Sequence, residues 1–169
     1  MRHDELYKII DDRICPKDYS AFSGVKNIAM VAIDEELRFD RCISKIREFA
    51  PDAIFYVIAH ARMYGYISSK YPEMKVFEWK GKYTDEVAAA ISDMLGETVP
   101  DAFLYFSEQE MNRRDSNLIR VAEMLEEKYG NRSFCNSIGD ELYELKEVQV
   151  LNQAYKTYDE MCKLKYLLG

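Results

Sequence analysis

This sequence predicts an α/β fold with a mostly parallel sheet between two helical layers, and three observations carry the prediction. Short, almost wholly apolar runs recur along the chain: NIAMVAID from Asn27, DAIFYVIAH from Asp52 and DAFLYF from Asp101. Each has the length and composition of a strand buried on both faces. Between them, apolar residues repeat at three and four positions, the period of an amphipathic helix. The same turn also precedes an apolar run twice, APDAIF at 50–55 and VPDAFL at 99–104. Strands alternating with helices build right-handed crossover units on a parallel sheet. The expected architecture is a Rossmann-like three-layer sandwich of four or five strands, ordered 3-2-1-4-5, with a long C-terminal helix.

The elements follow in chain order. Residues 4–13 read as a short helix with Leu6, Ile9 and Ile10 on one stripe. A loop punctuated by Pro16 and Gly24 follows, and its Tyr19 and Phe22 are expected to tuck against the body. After the first strand, LRFDRCISKIREFA places Cys42 or Ile43, Ile46 and Phe49 on a helical stripe that stops at Pro51. The second strand leads into a shorter helix, ARMYGYISSKY, ended by Pro72. MKVFEWK is a third strand, more polar and so nearer an edge. Thr84 suits the N-cap of a helix with Val87, Ile91 and Leu95 inward. The fourth strand is followed by SNLIRVAEMLEEKY, closed by Gly130 as a C-cap, and then by RSFCNS as a fifth short strand.

Asp140 to Leu168 reads as one helix, capped by Ser137 or Asp140. Its Leu145, Val148, Leu151, Tyr155, Tyr158 and Cys162 recur at three- and four-residue spacing, a seam for the body or for a second copy. The chain is thus one domain: an N-terminal helix and loop at 1–26, an α/β core at 27–138, and the C-terminal helix at 139–169.

Bulk properties remove several classes of function. With 23 basic and 30 acidic residues the net charge is −7, so the broad basic footprint of a nucleic-acid or anionic-membrane binder is missing. No apolar run approaches the roughly 18 residues of a membrane span. The first residues, MRHDELYKIIDDR, hold no signal-peptide core, and Cys15, Cys42, Cys135 and Cys162 form no C-x-x-C pair. A cytoplasmic protein with free thiols, no membrane partner, no cofactor and no resident metal is expected.

In an open parallel sheet, ligands bind beyond the C-terminal ends of the strands, where strand order reverses. That rule selects Asp34, Glu35 and Glu36 after the first strand, His60 and Arg62 after the second, and Glu78 to Lys80 after the third. After the fourth come Ser107, Glu108, Gln109, Asn112, Arg113 and Arg114, with Ser116 and Asn117 opening the next helix. Two adjacent arginines at a helix start are disfavoured by its partial positive charge. They call either for salt bridges to neighbouring acids or for an anion. Guanidinium groups, helix N–H groups and the neutral donors Ser107, Asn112, Ser116 and Asn117 together suit a phosphate. Asp34, Glu35 and His60 are the acid–base candidates.

Glycine-rich dinucleotide and P-loop signatures are absent. A receiver domain would need an aspartate where the second strand has Val57 and Ile58. Pro51-Asp52 with Glu78-Trp79-Lys80 resembles the core of metal-dependent nucleases, in which acids hold Mg²⁺ and a lysine orients water. The segment NIAMVAIDEELRFDRCISKIREFAPDAIFYVIA is similar to the opening strand–helix–strand of heptosyltransferase-type enzymes, GT-B glycosyltransferases with two Rossmann-like halves. That resemblance implies one half of a nucleotide-sugar site. The leading expectation is a module that binds a phosphate-bearing small molecule, a nucleotide or nucleotide-sugar. The competing expectations are a non-catalytic homodimerising interaction domain and, third, the nuclease.

Overall fold

The computed structural model describes residues 17–32, 35–79, 93, 96, 99–106, 116–137 and 140–168, with side chains described except at 116–120 and 147–155. A 3-10 turn at Tyr19–Phe22 precedes β1 (Asn27–Ala32), α1 (Glu36–Phe49), β2 (Ile54–His60), α2 (Ala61–Lys70) and β3 (Lys75–Trp79). Then come β4 (Ala102–Phe106), α3 (Ser116–Tyr129), β5 (Arg132–Asn136), β6 (Leu142–Glu144) and α4 (Leu145–Leu168). The helices expected at 4–13 and 84–95 fall outside the described residues, apart from Asp93.

The sheet runs β3-β2-β1-β4-β5-β6, parallel except for the antiparallel pair β5–β6. The expected order 3-2-1-4-5 is present, and the more polar β3 lies at an edge. The described residues hold six strands rather than four or five. The extra one, β6, comes from the stretch read as the start of the C-terminal helix. Asp140, in a left-handed conformation (φ 65°), reverses the chain. Ser137 Oγ does not cap a helix; it accepts from the Glu141 N–H at 3.2 Å within this turn. Leu142 and Tyr143 then satisfy the open edge of β5, and the Lys17 N–H donates to the Leu142 carbonyl at 2.7 Å. An unpaired strand edge is costly to leave open, and three residues of pairing outweigh one turn of helix.

Alternation along the strands sorts the core into two layers. Ile28, Met30, Phe55, Val57, Leu104 and Phe134 point to the face covered by Phe39, Cys42, Ile43 and Ile46 of α1 and by Met63 and Ile67 of α2. Tyr19 and Phe22 join that layer, so the N-terminal loop is part of the core. Ala29, Val31, Tyr56, Ile58, Phe103 and Tyr105 point the other way, to Val121, Ala122 and Leu125 of α3 and Leu145 of α4.

The second Pro-Asp turn has a structural purpose: Asp101 Oδ2 accepts from the Lys26 and Asn27 N–H groups, each at 2.9 Å. It thereby ties the start of β4 to the start of β1. As expected, α3 ends at Gly130, whose φ of 67° suits glycine and whose N–H donates to the Glu126 carbonyl.

Candidate functional site

At the C-terminal edge of the sheet, β1 ends at Ala32, β2 at His60, β4 at Phe106 and β5 at Asn136. Strand order reverses between β1 and β4, which makes the space beyond this pair the candidate site.

One wall belongs to α1. Glu35 turns the chain into this helix with φ 60° and ψ 84°, a left-handed conformation that costs a non-glycine residue about 1–2 kcal/mol. Such strain gathers at functional sites. Arg38 follows in the first turn and is 6% exposed. Its Nε donates to Asn136 Oδ1 at 2.6 Å and its Nη2 to the Asn136 carbonyl at 2.5 Å. Its guanidinium carbon sits 5.3 Å from the centre of the Phe106 ring, and Nη1 lies 3.6 Å from the Glu35 carboxylate. One buried cation therefore joins the loop after β1 to the ends of β4 and β5.

The network continues outward from Asn136. Its amide nitrogen donates to the Tyr19 hydroxyl at 2.8 Å and to Asp140 Oδ1 at 3.1 Å. Asp140 Oδ2 also receives Arg41 at 2.7 Å and Lys45 at 3.5 Å. Burial pushes the Asp140 carboxyl up, but donation from Arg41 and Asn136 and the charge of Lys45 outweigh it and hold the carboxyl below its usual range. The Tyr19 hydroxyl donates to Cys42 Sγ at 3.7 Å. Burial pushes the Tyr19 hydroxyl up and the Cys42 thiol up to about 12, so this cysteine is a packed, neutral group at physiological pH. Chemically the set is an anchor. It ties Glu35 and the first turn of α1 to Asn136 at the end of β5 and to Asp140.

Against this frame, the sequence candidates separate. Glu35 is at the rim beside Arg38, with its side chain 60% exposed. His60 is elsewhere, at the end of β2: its Nδ1 accepts from the Arg62 N–H at 3.3 Å as the cap of α2, and its ring meets Trp79 edge-on. Ser116 and Asn117 open α3. Asp34, Ser107, Asn112, Arg113 and Arg114 lie outside the described residues. Of the nuclease-like residues, Lys80 lies outside the described residues, and Asp52 and Glu78 are not brought together. Glu78 pairs with Ala59, whereas Asp52 precedes β2, a separation of about 23 Å along an extended strand. Among the described residues no group of three His, Cys, Asp or Glu side chains is arranged to hold a metal.

Sequence reasoning missed Arg38, Asn136 and Asp140 as site-edge residues. A signal was there to find: Arg38, Arg41 and Lys45 form a basic stripe beside the apolar stripe of α1, and Asn136 is a polar residue directly after the Phe134-Cys135 pair at the end of β5. A second missed cluster joins α1 to α2. Asp40 accepts from Tyr66, Tyr71 and Lys70. Burial raises its carboxyl, and these three donors together bring it below the usual value. No protein-family model matches this chain, and no curated protein matches its sequence.

Proposed function

We propose that this protein is a cytoplasmic module that binds a phosphate-bearing small molecule, a nucleotide or nucleotide-sugar, beyond the C-terminal ends of β1 and β4. The observation that carries the reading is the strand order. β1 lies between β2 and β4, all parallel, so the crossovers leave this pair in opposite directions. Ligands of open α/β sheets collect at that point. The sequence between β4 and α3 supports phosphate as the recognised group. It carries Ser107, Asn112, Arg113 and Arg114 immediately ahead of a 14-residue helix that opens with Ser116 and Asn117. Guanidinium forks and helix N–H groups are complementary to phosphate oxygens. The Arg38–Asn136 clamp supports the reading in another way, since a site held in advance loses less free energy on binding. Asp34 and Glu35, which follow β1, are the groups that would activate an acceptor hydroxyl at this rim in a glycosyltransferase-like reaction.

A thermal-shift comparison tests the reading, with nucleotides, nucleotide-sugars and inorganic phosphate as probes on wild type and on Arg113→Ala/Arg114→Ala. A probe at a hundred times its Kd stabilises the native state by about 2.7 kcal/mol, a rise of roughly 5–10 °C for a chain of this size. That rise is expected with wild type and lost in the double variant. No rise with any probe removes the nucleotide reading.

A homodimerising interaction domain is the second reading. The observation that favours it is the end of α4, where Met161, Leu164, Tyr166, Leu167 and Leu168 are all exposed.

A further inference from the structure

The last turns of α4 extend past the layer they pack on. A helix of 24 residues spans about 36 Å, while the five residues of β5 run about 17 Å. Contacts of α4 with β5, β6 and α3 hold it to the body. Leu145 is buried, and Tyr158 and Asp159 are still half-buried. From Glu160 to Leu168 every side chain is exposed. Met161, Leu164, Leu167 and Leu168 are between 57 and 79% exposed, a cluster of apolar side chains of the kind that marks an interaction surface.

We propose that this segment pairs with the same segment of a second copy, as a short, parallel, in-register two-helix contact. The proposal rests on the homodimer reading and adds to it the face, the orientation and the residues. Met161, Leu164 and Leu168 occupy successive a, d and a positions of a heptad. In that frame Glu160 is a g position and Lys165 the e position five residues on. Parallel helices bring g of one copy against the following e of the other. Glu160 of each copy therefore meets Lys165 of its partner, twice over by the twofold symmetry. The two residues are not neighbours within one helix, because five residues turn the chain by about 140° from alignment. An antiparallel pair matches e with e and g with g, which sets Lys165 near Tyr158 or another Lys165 and discards the charge match. A lipid surface suits the segment less well. Its charged positions mix Lys156, Lys163 and Lys165 with Asp159 and Glu160, a nearly balanced set, where a membrane-surface helix is predominantly basic. Two turns cover less than the roughly 800 Å² per partner of a standard stable interface, so the association is weak and depends on concentration.

Sedimentation equilibrium from micromolar to near-millimolar protein tests this, on wild type, Leu164→Lys, Glu160→Lys, Lys165→Glu and the double reversal Glu160→Lys/Lys165→Glu. These positions are exposed, so circular dichroism should show an unchanged fold. The expected result is a wild-type mass rising towards twice the monomer, and a monomeric Leu164→Lys. Each single reversal should weaken association roughly five- to tenfold, and the double reversal should restore it. A wild type that stays monomeric, including one that instead sediments with anionic vesicles, overturns the homodimer reading and this pairing together. A dimer indifferent to Leu164→Lys, or not restored by the double reversal, overturns the pairing and leaves homodimerisation standing.

Discussion

Arg38 is the residue whose removal should be felt most. A buried guanidinium is tolerable only when its donors are taken up, and here Asn136 takes two of them through its side chain and its carbonyl. Arg38→Ala would leave both acceptors without that partner, at a cost of about 3 kcal/mol, or roughly 6–12 °C in Tm. Arg38→Lys should fall between, because an ammonium is a point charge and does not reproduce the fork. Thermal unfolding checks this, and an alanine variant as stable as wild type would reduce the clamp to a surface contact. Asp140 sets a pH dependence. Its folded pKa is depressed relative to the unfolded chain, so its contribution is complete above the usual carboxylate range and is lost as pH falls through the folded value. Asp40 and Glu73 are depressed as well, so wild type alone cannot isolate it. Asp140→Asn keeps a residue that tolerates the left-handed turn and removes the charge together with one of the two acceptor oxygens. The stability gap between wild type and this variant should be about 1–2 kcal/mol at neutral pH and narrow as pH falls through the depressed folded value of Asp140. A gap that stays constant with pH would mean that the charge is not what Asp140 contributes.

Elements are read from a sequence to the extent that their residues repeat. The runs in β1, β2 and β4 are apolar at nearly every position because both faces of the sheet are covered, and that is visible without a structure. β3 alternates towards exposure, and its polarity correctly placed it at an edge. β6 was not legible. Three residues hold no period, and Leu142-Tyr143-Glu144 joins the helical spacing of α4 without a break. What makes it a strand is the open edge of β5, a tertiary condition absent from the local pattern. The site was legible in the same partial way. Strand ends could be located, and with them Glu35 and His60. The side chains that cross between elements could not, since Arg38 and Asn136 are 98 residues apart. His60 was selected as an acid–base candidate by its place at a strand end, and only its bond to the Arg62 N–H shows the cap.

One sheet shared by two packed layers has a consequence for the whole molecule. β1 and β4 contribute buried residues to both layers, so neither layer can come apart without uncovering them. Opening of their amides should require global unfolding. Among the described residues β3 is paired on one side only, and of its residues Trp79 alone is buried while Lys75, Phe77 and Glu78 are exposed. The end of α4 buries less still. Native-state hydrogen exchange should therefore rank the molecule from the centre outward. The amides of Ala29 to Val31 and Phe103 to Tyr105 should exchange slowest, with the denaturant dependence of global unfolding. Those of β3 should exchange earlier, through local opening with little denaturant dependence, and those of residues 161–168 earliest. The proposed pairing of α4 with a second copy requires that protection of 161–168 rise with protein concentration while that of β1 and β4 stays fixed. Equal protection across β3 and β1 would mean that an edge covering, rather than the central strands, sets the stability of the fold.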